Sequence, residues 1–121
     1  MIIAKIVLLL KIMILTSNVN YIIDLEKHRT PRSKVFTGRD RGIEVRLNSQ
    51  IDQLGEHNHV ITIIIPTDIR SISPSFLEEF LLNVVSNYGE QGFRHKFKFE
   101  NPGHYKIENN LKEAIERILR R

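Results

Sequence analysis

The residues best suited to chemistry lie in the segment SISPSFLEEF, at residues 71–80, where three serines and a proline precede an apolar run. Serine and proline are typical of the start of a helix, because a serine hydroxyl caps free backbone N–H groups and proline fits the first helical position. A cap contributes about 0.5–2 kcal/mol and uses one hydroxyl. A second serine hydroxyl at the start of the same helix is not needed for the cap and is therefore a candidate for phosphorylation.

Two capping arrangements fit this segment. With Ser73 as the N-cap, Pro74 occupies the first helical position, where its missing N–H costs nothing. With Ser75 as the N-cap, Glu78 lies three residues later and completes a capping box. Either arrangement predicts a good helix start and leaves one of the two serines exposed in the first turn.

The flanking apolar residues favour Ser73 as the cap. Ile72 and Leu77 would then stand at the two positions of a hydrophobic staple. Ser75 would be the remaining hydroxyl, near a helix N-terminus that favours negative charge. A phosphate there carries about −1.5 to −2 charges and would change the surface seen by a partner more than it changes the fold.

A second candidate for chemistry is the basic segment at residues 29–46, whose excess of cations equals the net charge of +4 of the whole chain. Its cations are Arg29, Arg32, Lys34, Arg39, Arg41 and Arg46, against Asp40 and Glu44. Arginine binds phosphates and carboxylates through two parallel hydrogen bonds, so Arg32, Arg39, Arg41 and Arg46 are candidates for binding a protein partner or a phosphate. A nucleic-acid- or nucleotide-binding protein is therefore the alternative function. Phe36 is the lone aromatic residue of the segment and no groove-reading motif is present, which argues against nucleic acid.

The remaining titratable residues do not form a reaction centre. The chain has no cysteine, and His57 and His59 lack a companion cluster of carboxylates, so no metal is expected. Glu78 and Glu79 are adjacent and diverge by about 100° on a helix, which excludes a close acid–base pair. We interpret Glu78 as a cap partner and Glu79 as a solvated charge. The segment at residues 38–42, GRDRG, lacks the phosphate-loop pattern. An enzyme and a cofactor are not expected.

Hydrophobic periodicity predicts alternating strands and helices after the first nineteen residues. Strands are predicted at residues 20–27, 59–66 and 93–100, and helices at residues 42–54, 74–88 and 107–119, with Gly55 and Gly89 as helix stops. The run at residues 59–66 lacks polar alternation, which predicts a strand covered on both faces. Residues 28–42 read as a long loop, and Asn110 with Glu113 has the spacing of a capping box. This order predicts a single-domain α/β layered sandwich in which helices cover a mixed sheet.

Residues 1–19 form an apolar segment that we interpret as a strand or packed segment ahead of the domain at residues 20–121. Lys5 and Lys11 interrupt its apolar residues, and the longest unbroken run is residues 6–10. A membrane span needs about 20 mostly apolar residues and a signal peptide needs an uninterrupted apolar stretch. Membrane insertion is therefore not expected, although a membrane anchor and an extension upstream of Met13 are the alternatives. The absence of cysteine fits a cytoplasmic protein.

Two blocks of the sequence resemble the STAS-like domain family of unknown function, relatives of the anti-sigma factor antagonist (STAS) domains. DIRSISPSFLEEF, at residues 68–80, is similar to the family's central motif, in which an apolar strand leads into S-x-S-F-x-E-E at the start of a helix. TPRSKVFTGRDRGIEVR, at residues 30–46, is similar to the family's loop leading to G-x-E-x-R, here Gly42, Glu44 and Arg46. The sequence departs from the STAS pattern where relatives carry an acidic residue, here Ile65, and where they carry glycine, here Phe76.

The resemblance covers about residues 20–121 and implies a STAS-like fold and a regulatory role of bacterial type. It places Ser75 at the position of the STAS phospho-acceptor. The implied partner is a histidine-kinase-like ATPase that would phosphorylate Ser75, or a sigma-factor regulator released by that reaction. The expected protein is therefore a cytoplasmic, non-enzymatic protein-interaction domain. Apart from the resemblance, the N-terminal fifteen residues and the basic strand at residues 93–100 are both open as surfaces for a homodimer.

Overall fold

The computed structural model of the chain describes residues 2–17 and 20–121, which form α/β layers in one small domain. In chain order the helices and strands are α1 (Ile2–Ser17), β1 (Asn20–Asp24), a 3₁₀ turn (Leu25–His28), β2 (Val35–Phe36), α2 (Arg39–Ser49), α3 (Ile51–His57), β3 (Val60–Ile64), β4 (Ser71–Ile72), α4 (Pro74–Phe80), α5 (Leu82–Lys96), β5 (Phe97–Glu100) and α6 (Glu108–Arg120). The predicted α/β class is confirmed.

The larger sheet has the order β1-β3-β5, with β3 in the centre. The β-branched residues of β3 favour a strand, and Ile61 and Ile63 point into the core with no exposed surface. Ile65, just after β3, is equally buried, whereas Val60 is half-buried. The buried interior strand predicted from residues 59–66 is therefore confirmed, with Val60 less buried than expected.

Every strand pairing among the described residues is parallel, which corrects the predicted mixed sheet. Helices α3 and α5 pack on one face of the larger sheet, where Ile23, Ile61, Ile63 and Phe97 are buried. On the opposite face Ile22 of β1 is 59% exposed, and β3 presents partly exposed side chains there. The expectation that β3 is covered on both faces was therefore wrong among the described residues.

A second, two-stranded sheet brings the basic segment beside the serine segment. β2 and β4 pair in parallel, with Val35 opposite Ser71 and Phe36 opposite Ile72. The backbone N–H of Ser73 then donates to the carbonyl oxygen of Phe36 at 2.9 Å. This pairing positions the start of α4 directly against the segment that leads into α2.

The helix predicted at residues 42–54 is two helices. α2 begins earlier, at Arg39, and ends at Ser49, because Gln50 adopts the left-handed conformation with φ of 56°. Gly55, predicted as the stop, lies inside α3, and the predicted loop at residues 28–42 contains β2 and the first turn of α2. Gln50 carries no local sequence signal for this break, since glycine or asparagine is the usual residue there.

The strand predicted at residues 93–100 is shorter than expected, because residues 93–96 complete α5. Phe93 is buried and stacks on Phe97 with ring centroids 5.1 Å apart. Alternating phenylalanines fitted both a strand and a helix end, and core packing selects the helix. Gly89, the predicted helix stop, has φ of 70° and interrupts the helical backbone, after which the chain resumes a helix.

The capping box predicted at Asn110 and Glu113 was also wrong. Asn110 lies inside α6 and donates to the carbonyl oxygen of Ile72 at 3.0 Å, so it ties α6 to β4. Glu113 accepts from Arg117 at 2.7 Å one helical turn later. Asn110 is thus engaged by another element and Glu113 by its own helix, which the sequence spacing alone did not reveal.

The apolar segment at residues 1–19 is a helix, α1, over its described part, and not the predicted strand. Ile2 and Ile3 are each 76% exposed. Among the described residues, no helix combines the length and the apolar character that crossing a bilayer requires. The part of the prediction that concerns residues 1, 18 and 19 lies outside the described residues.

Candidate functional site

The start of α4 adopts the first of the two capping arrangements. Ser73 has extended backbone angles, and its Oγ accepts a hydrogen bond from the N–H of Phe76 at 3.1 Å. Pro74 occupies the first helical position. The cap therefore uses the hydroxyl of Ser73 and leaves that of Ser75 for other contacts.

Removing the cap should cost measurable stability. We expect Ser73→Ala to lower the free energy of unfolding by about 1 kcal/mol, since the N–H of Phe76 loses its acceptor. Ser75→Ala is the matched control, because it deletes a hydroxyl two residues away that does not cap α4. Urea unfolding of the three proteins measures both values. An equal loss in the two variants would contradict the assignment of Ser73 as the cap.

Ser75 is partly buried and lies beside an arginine of the last helix. Nη1 of Arg117 donates to Ser75 Oγ at 3.4 Å. The same guanidinium is 3.9 Å from Oε1 of Glu78 and 2.7 Å from Oε1 of Glu113. Because Arg117 is 42 residues distant in sequence, nothing in the local pattern around Ser75 could have predicted this contact. Arg117 is a residue of the candidate site that sequence reasoning missed.

Glu78 and Glu79 are buried, which corrects both of their predicted roles. Their exposed fractions are 3% and 6%, because α4 packs against α2 on one side and α6 on the other. Glu78 is not a cap partner, since Ser73 caps α4 alone, and Glu79 is not a solvated charge. A buried carboxylate requires hydrogen-bonded cations around it.

Four arginines supply those cations and, with the two glutamates, form what we call the glutamate–arginine cluster. Its members are Glu78, Glu79, Arg39, Arg46, Arg117 and Arg121. Nη1 of Arg39 is 2.9 Å from Glu78 Oε2 and 3.2 Å from Glu79 Oε1, and Nη1 of Arg121 is 3.1 Å from each of the same two oxygens. The cluster thus joins α2, α4 and the end of α6.

The cluster favours the charged form of the Glu78 carboxylate. The hydrogen bond from Arg39 lowers the pKa of Glu78 below its ordinary value, and this effect outweighs the opposing effect of burial. Arg121 and Arg117 lower it further through their charges. A carboxyl that acts as a general acid must hold a proton, and the lowered pKa of Glu78 opposes that state.

Glu78 is incompletely satisfied on the side of Ser75. Its Oε1 is buried and makes no hydrogen bond with the described residues, among which Arg117 is the nearest cation at 3.9 Å. A buried acceptor without a donor costs free energy relative to a paired one. Nη2 of Arg117 is engaged by Glu113 at 2.7 Å, whereas Nη1 has only long contacts with Ser75 and Glu78. A stronger anion at Ser75 would therefore compete well for Nη1.

The second block of the family resemblance packs directly behind this site. Gly42 of α2 touches α4 so closely that an added Cβ would overlap the carbonyl oxygen of Phe76 and lie 3.0 Å from Cβ of Glu79. Arg46 donates to the carbonyl oxygen of Glu79 at 2.7 Å, and its side chain is 14% exposed. Glu44 pairs with Arg41 at 2.9 Å on the outer side of α2. Gly42 and Arg46 thus position α4 against α2.

The predicted phosphate-binding arginines do not converge on one site. Arg39 and Arg46 bind the carboxylates of Glu78 and Glu79, while Arg41 binds Glu44 and the carbonyl oxygen of His28. Arg32 is exposed, outside the cluster, with φ of 67°. Only half of the four candidates therefore belong to the arrangement around α4.

The histidines do not add a metal centre to the described part of the chain, in which no three His, Asp or Glu side chains gather in a way that could hold an ion. His57 and His59 line a shallow surface pocket together with Lys96. The start of α4 and the glutamate–arginine cluster are therefore the candidate site. No family model, no curated protein and no solved structure is similar enough to this chain to count as a match.

Proposed function

We propose that this chain is a STAS-like, non-enzymatic regulatory domain that binds a protein partner and is switched by phosphorylation of Ser75. The observation that carries the proposal is the hydroxyl of Ser75, which the cap does not use and which lies 3.4 Å from the guanidinium of Arg117. The guanidinium of Arg117 is close enough to pair with a phosphate on Ser75. The absence of cysteine supports a cytoplasmic location.

Arg117 supplies a physical mechanism for the switch. A phosphate brings about −1.5 to −2 charges and three strong acceptor oxygens. Charge-assisted hydrogen bonds to a phosphate are shorter and roughly twice as strong as neutral ones, so Arg117 would turn from the distant Oε1 of Glu78 toward Ser75. The charge balance of the glutamate–arginine cluster would then change between α4 and α6. A partner that binds this surface would distinguish the phosphorylated protein from the unphosphorylated one.

The partner that the resemblance implies is a histidine-kinase-like ATPase, or a sigma-factor regulator released by its action. Nucleic-acid binding through residues 29–46 is the less favoured function, because Arg29, Arg39, Arg41 and Arg46 each lie within 4 Å of a carboxylate. Cations already paired in the fold release fewer counterions on binding to phosphates and contribute less affinity. The arginines near α4 therefore support protein regulation better than nucleic-acid recognition.

The test is the affinity for the histidine-kinase-like ATPases of the same organism. We expect Ser75→Glu to change the dissociation constant at least tenfold, a difference of about 1.4 kcal/mol, because it adds charge beside Arg117. Ser75→Ala should bind as the unphosphorylated protein does. Ser86→Glu is the matched control, since Ser86 is an exposed serine of α5 that bonds only its own helix among the described contacts.

Combining Ser75→Glu with Arg117→Gln separates the mechanism from a general effect of charge. If Arg117 receives the negative charge, Arg117→Gln should remove most of the difference between Ser75→Glu and the wild type. Equal affinities for the wild type, Ser75→Glu and Ser86→Glu would contradict the proposed switch. Salt-sensitive binding of random duplex DNA at physiological salt would favour the alternative function instead.

A further inference from the structure

Strand β5 leaves one of its edges open in the described structure, where it pairs with β3 alone. The N–H of Ile65 donates to the carbonyl oxygen of Glu100 at 2.9 Å, so the backbone groups of Glu100 face the β3 side. Backbone direction alternates along a parallel strand, so the N–H and C=O of Phe99 face outward. An open edge of this kind is a template for pairing with another strand.

The side chains of this edge carry an alternating charge pattern. Lys98 and Glu100 are exposed on one face of the strand, and neither forms an ion pair with the described residues. The ammonium of Lys98 donates to the carbonyl oxygen of Arg94 at 2.6 Å and keeps two further donors. Phe99, between the two charges, points to the other face and packs against the core.

This pattern is self-complementary in one antiparallel register. If β5 pairs with β5 of a second copy about a two-fold axis at Phe99, Lys98 lies opposite Glu100 of the partner subunit, and Glu100 opposite the partner's Lys98. Residues directly opposite each other share a face, so both ion pairs can form. The outward N–H of each Phe99 then donates a hydrogen bond to the carbonyl oxygen of the other Phe99.

The neighbouring registers place like charges together. An axis at Lys98 sets two lysines opposite each other, and an axis at Glu100 sets two glutamates opposite each other. An axis at Phe97 sets Lys96 opposite the partner's Lys98. Like charges directly opposite in a sheet are destabilising, so the sequence Lys98–Phe99–Glu100 selects a single register.

The structure also offers space for the aromatic ring at the axis. A groove of about 330 Å³ runs between β5 and α6, on the side where Phe99 lies. Its apolar lining includes Phe99, Ile107 and Leu111, and charged side chains of Arg94, Lys98 and Glu108 complete it. A second phenylalanine brought beside Phe99 by edge pairing would lie against the apolar part of this groove.

We propose that a second copy of this chain occupies the open edge of β5, forming a homodimer with a continuous parallel–antiparallel sheet of six strands and its two-fold axis at Phe99. The occupant is a second copy because the charges of the edge complement themselves. Isologous contacts of this kind are the commonest way in which soluble chains associate. The dimer does not depend on phosphorylation of Ser75.

The test is a charge exchange across the proposed axis, read by sedimentation equilibrium of the full chain from about 10 µM to about 1 mM. We expect the wild type to dimerise reversibly. Lys98→Glu and Glu100→Lys should each raise the dimer dissociation constant at least tenfold, because each sets like charges opposite each other twice. The double variant K98E/E100K should return to within about threefold of the wild type, since both ion pairs re-form with reversed polarity.

Lys27→Glu and Glu116→Lys are the matched controls, as both residues are exposed, outside β5 and without an ion pair to the described residues. They should dimerise as the wild type does. A wild type that remains monomeric at the highest concentration would overturn the proposal. Single variants that dimerise like the wild type would assign the contact to another surface, such as α1. Failure of the double variant to recover would exclude this register, and circular dichroism verifies that each protein is folded.

Discussion

Gly42→Ala is expected to destabilise the protein by more than about 4 kcal/mol or to prevent folding altogether. The added methyl group would overlap the carbonyl oxygen of Phe76, which belongs to the backbone of α4 and has no rotamer to adopt. It would also lie 3.0 Å from Cβ of Glu79. Relief therefore requires α2 and α4 to separate, which would expose Val45 and Phe76 at the centre of the core.

Gly92→Ala is the matched control for Gly42→Ala, because Gly92 also lies in a helix. An added Cβ there would lie 3.1 Å from Cβ of Tyr88, without the overlap with a backbone oxygen that occurs at Gly42. The helix propensity of alanine offsets this close contact by up to about 1 kcal/mol. Thermal unfolding and near-ultraviolet circular dichroism measure both variants. A Gly42→Ala protein as stable as Gly92→Ala would show that α2 does not pack on α4 as described.

The second large effect is expected from removing both negative charges of the glutamate–arginine cluster. In the double variant Glu78→Gln and Glu79→Gln, Arg46 remains mostly buried, with its side chain 14% exposed, and has no anionic partner in the cluster. Breaking a buried ion pair costs about 3–5 kcal/mol. We expect about 2–4 kcal/mol here, because Arg39 and Arg121 are about half exposed and water screens them.

Glu44→Gln is the matched control for the double variant. Glu44 pairs with Arg41 at the surface, with 56% of its side chain exposed, and such pairs contribute about 0–1 kcal/mol. Urea unfolding at pH 7 measures the three proteins. Equal stabilities of the double variant and Glu44→Gln would mean that the cluster contributes no more than a surface ion pair.

The same cluster predicts how stability depends on pH. Since the pKa of Glu78 is lowered in the folded chain, its contribution is complete above the ordinary value of 4.5 and is lost as the pH falls through the folded value. Across that acid range the wild type should lose stability more steeply than the double variant, which has no carboxylate to protonate at either position. If the free energy of unfolding fell equally steeply with pH in the two proteins, the charged, arginine-bound state of Glu78 would be contradicted.

Short-range signals in the sequence predicted those parts of the fold that depend on neighbouring residues. The β-branched run at residues 59–66 produced the interior strand β3, and the Ser73–Pro74 pair produced the capped start of α4. Gly89 interrupts a helix as expected because its φ is positive. These features depend on backbone preferences within a few residues, which is why periodicity and turn chemistry sufficed.

Features that depend on distant elements could not be predicted in the same way. Glu78 was interpreted as a cap partner and Glu79 as a solvated charge. Their cations come from α2 and from the end of α6, about 40 residues away in either direction, so no local pattern indicated the cluster. The spacing of Phe93, Phe97 and Phe99 fitted one long strand. In the structure Phe93 belongs to α5 and stacks on Phe97, the first residue of β5. The pair Ser75–Arg117 has the same origin, since helix packing alone brings it together.

The most direct test of the proposed switch is phosphate mapping on the protein purified from its native cell. Intact-mass measurement followed by peptide fragmentation should find a single phosphate on Ser75 in a fraction of the chains. That phosphate should be absent from Ser75→Ala and should persist in Ser73→Ala, because Ser73 serves the cap. Phosphate-free Ser75 under every growth condition, or a phosphate on another residue that Ser75→Ala does not affect, would contradict the switch and leave Ser73 and Ser75 as residues that begin a helix.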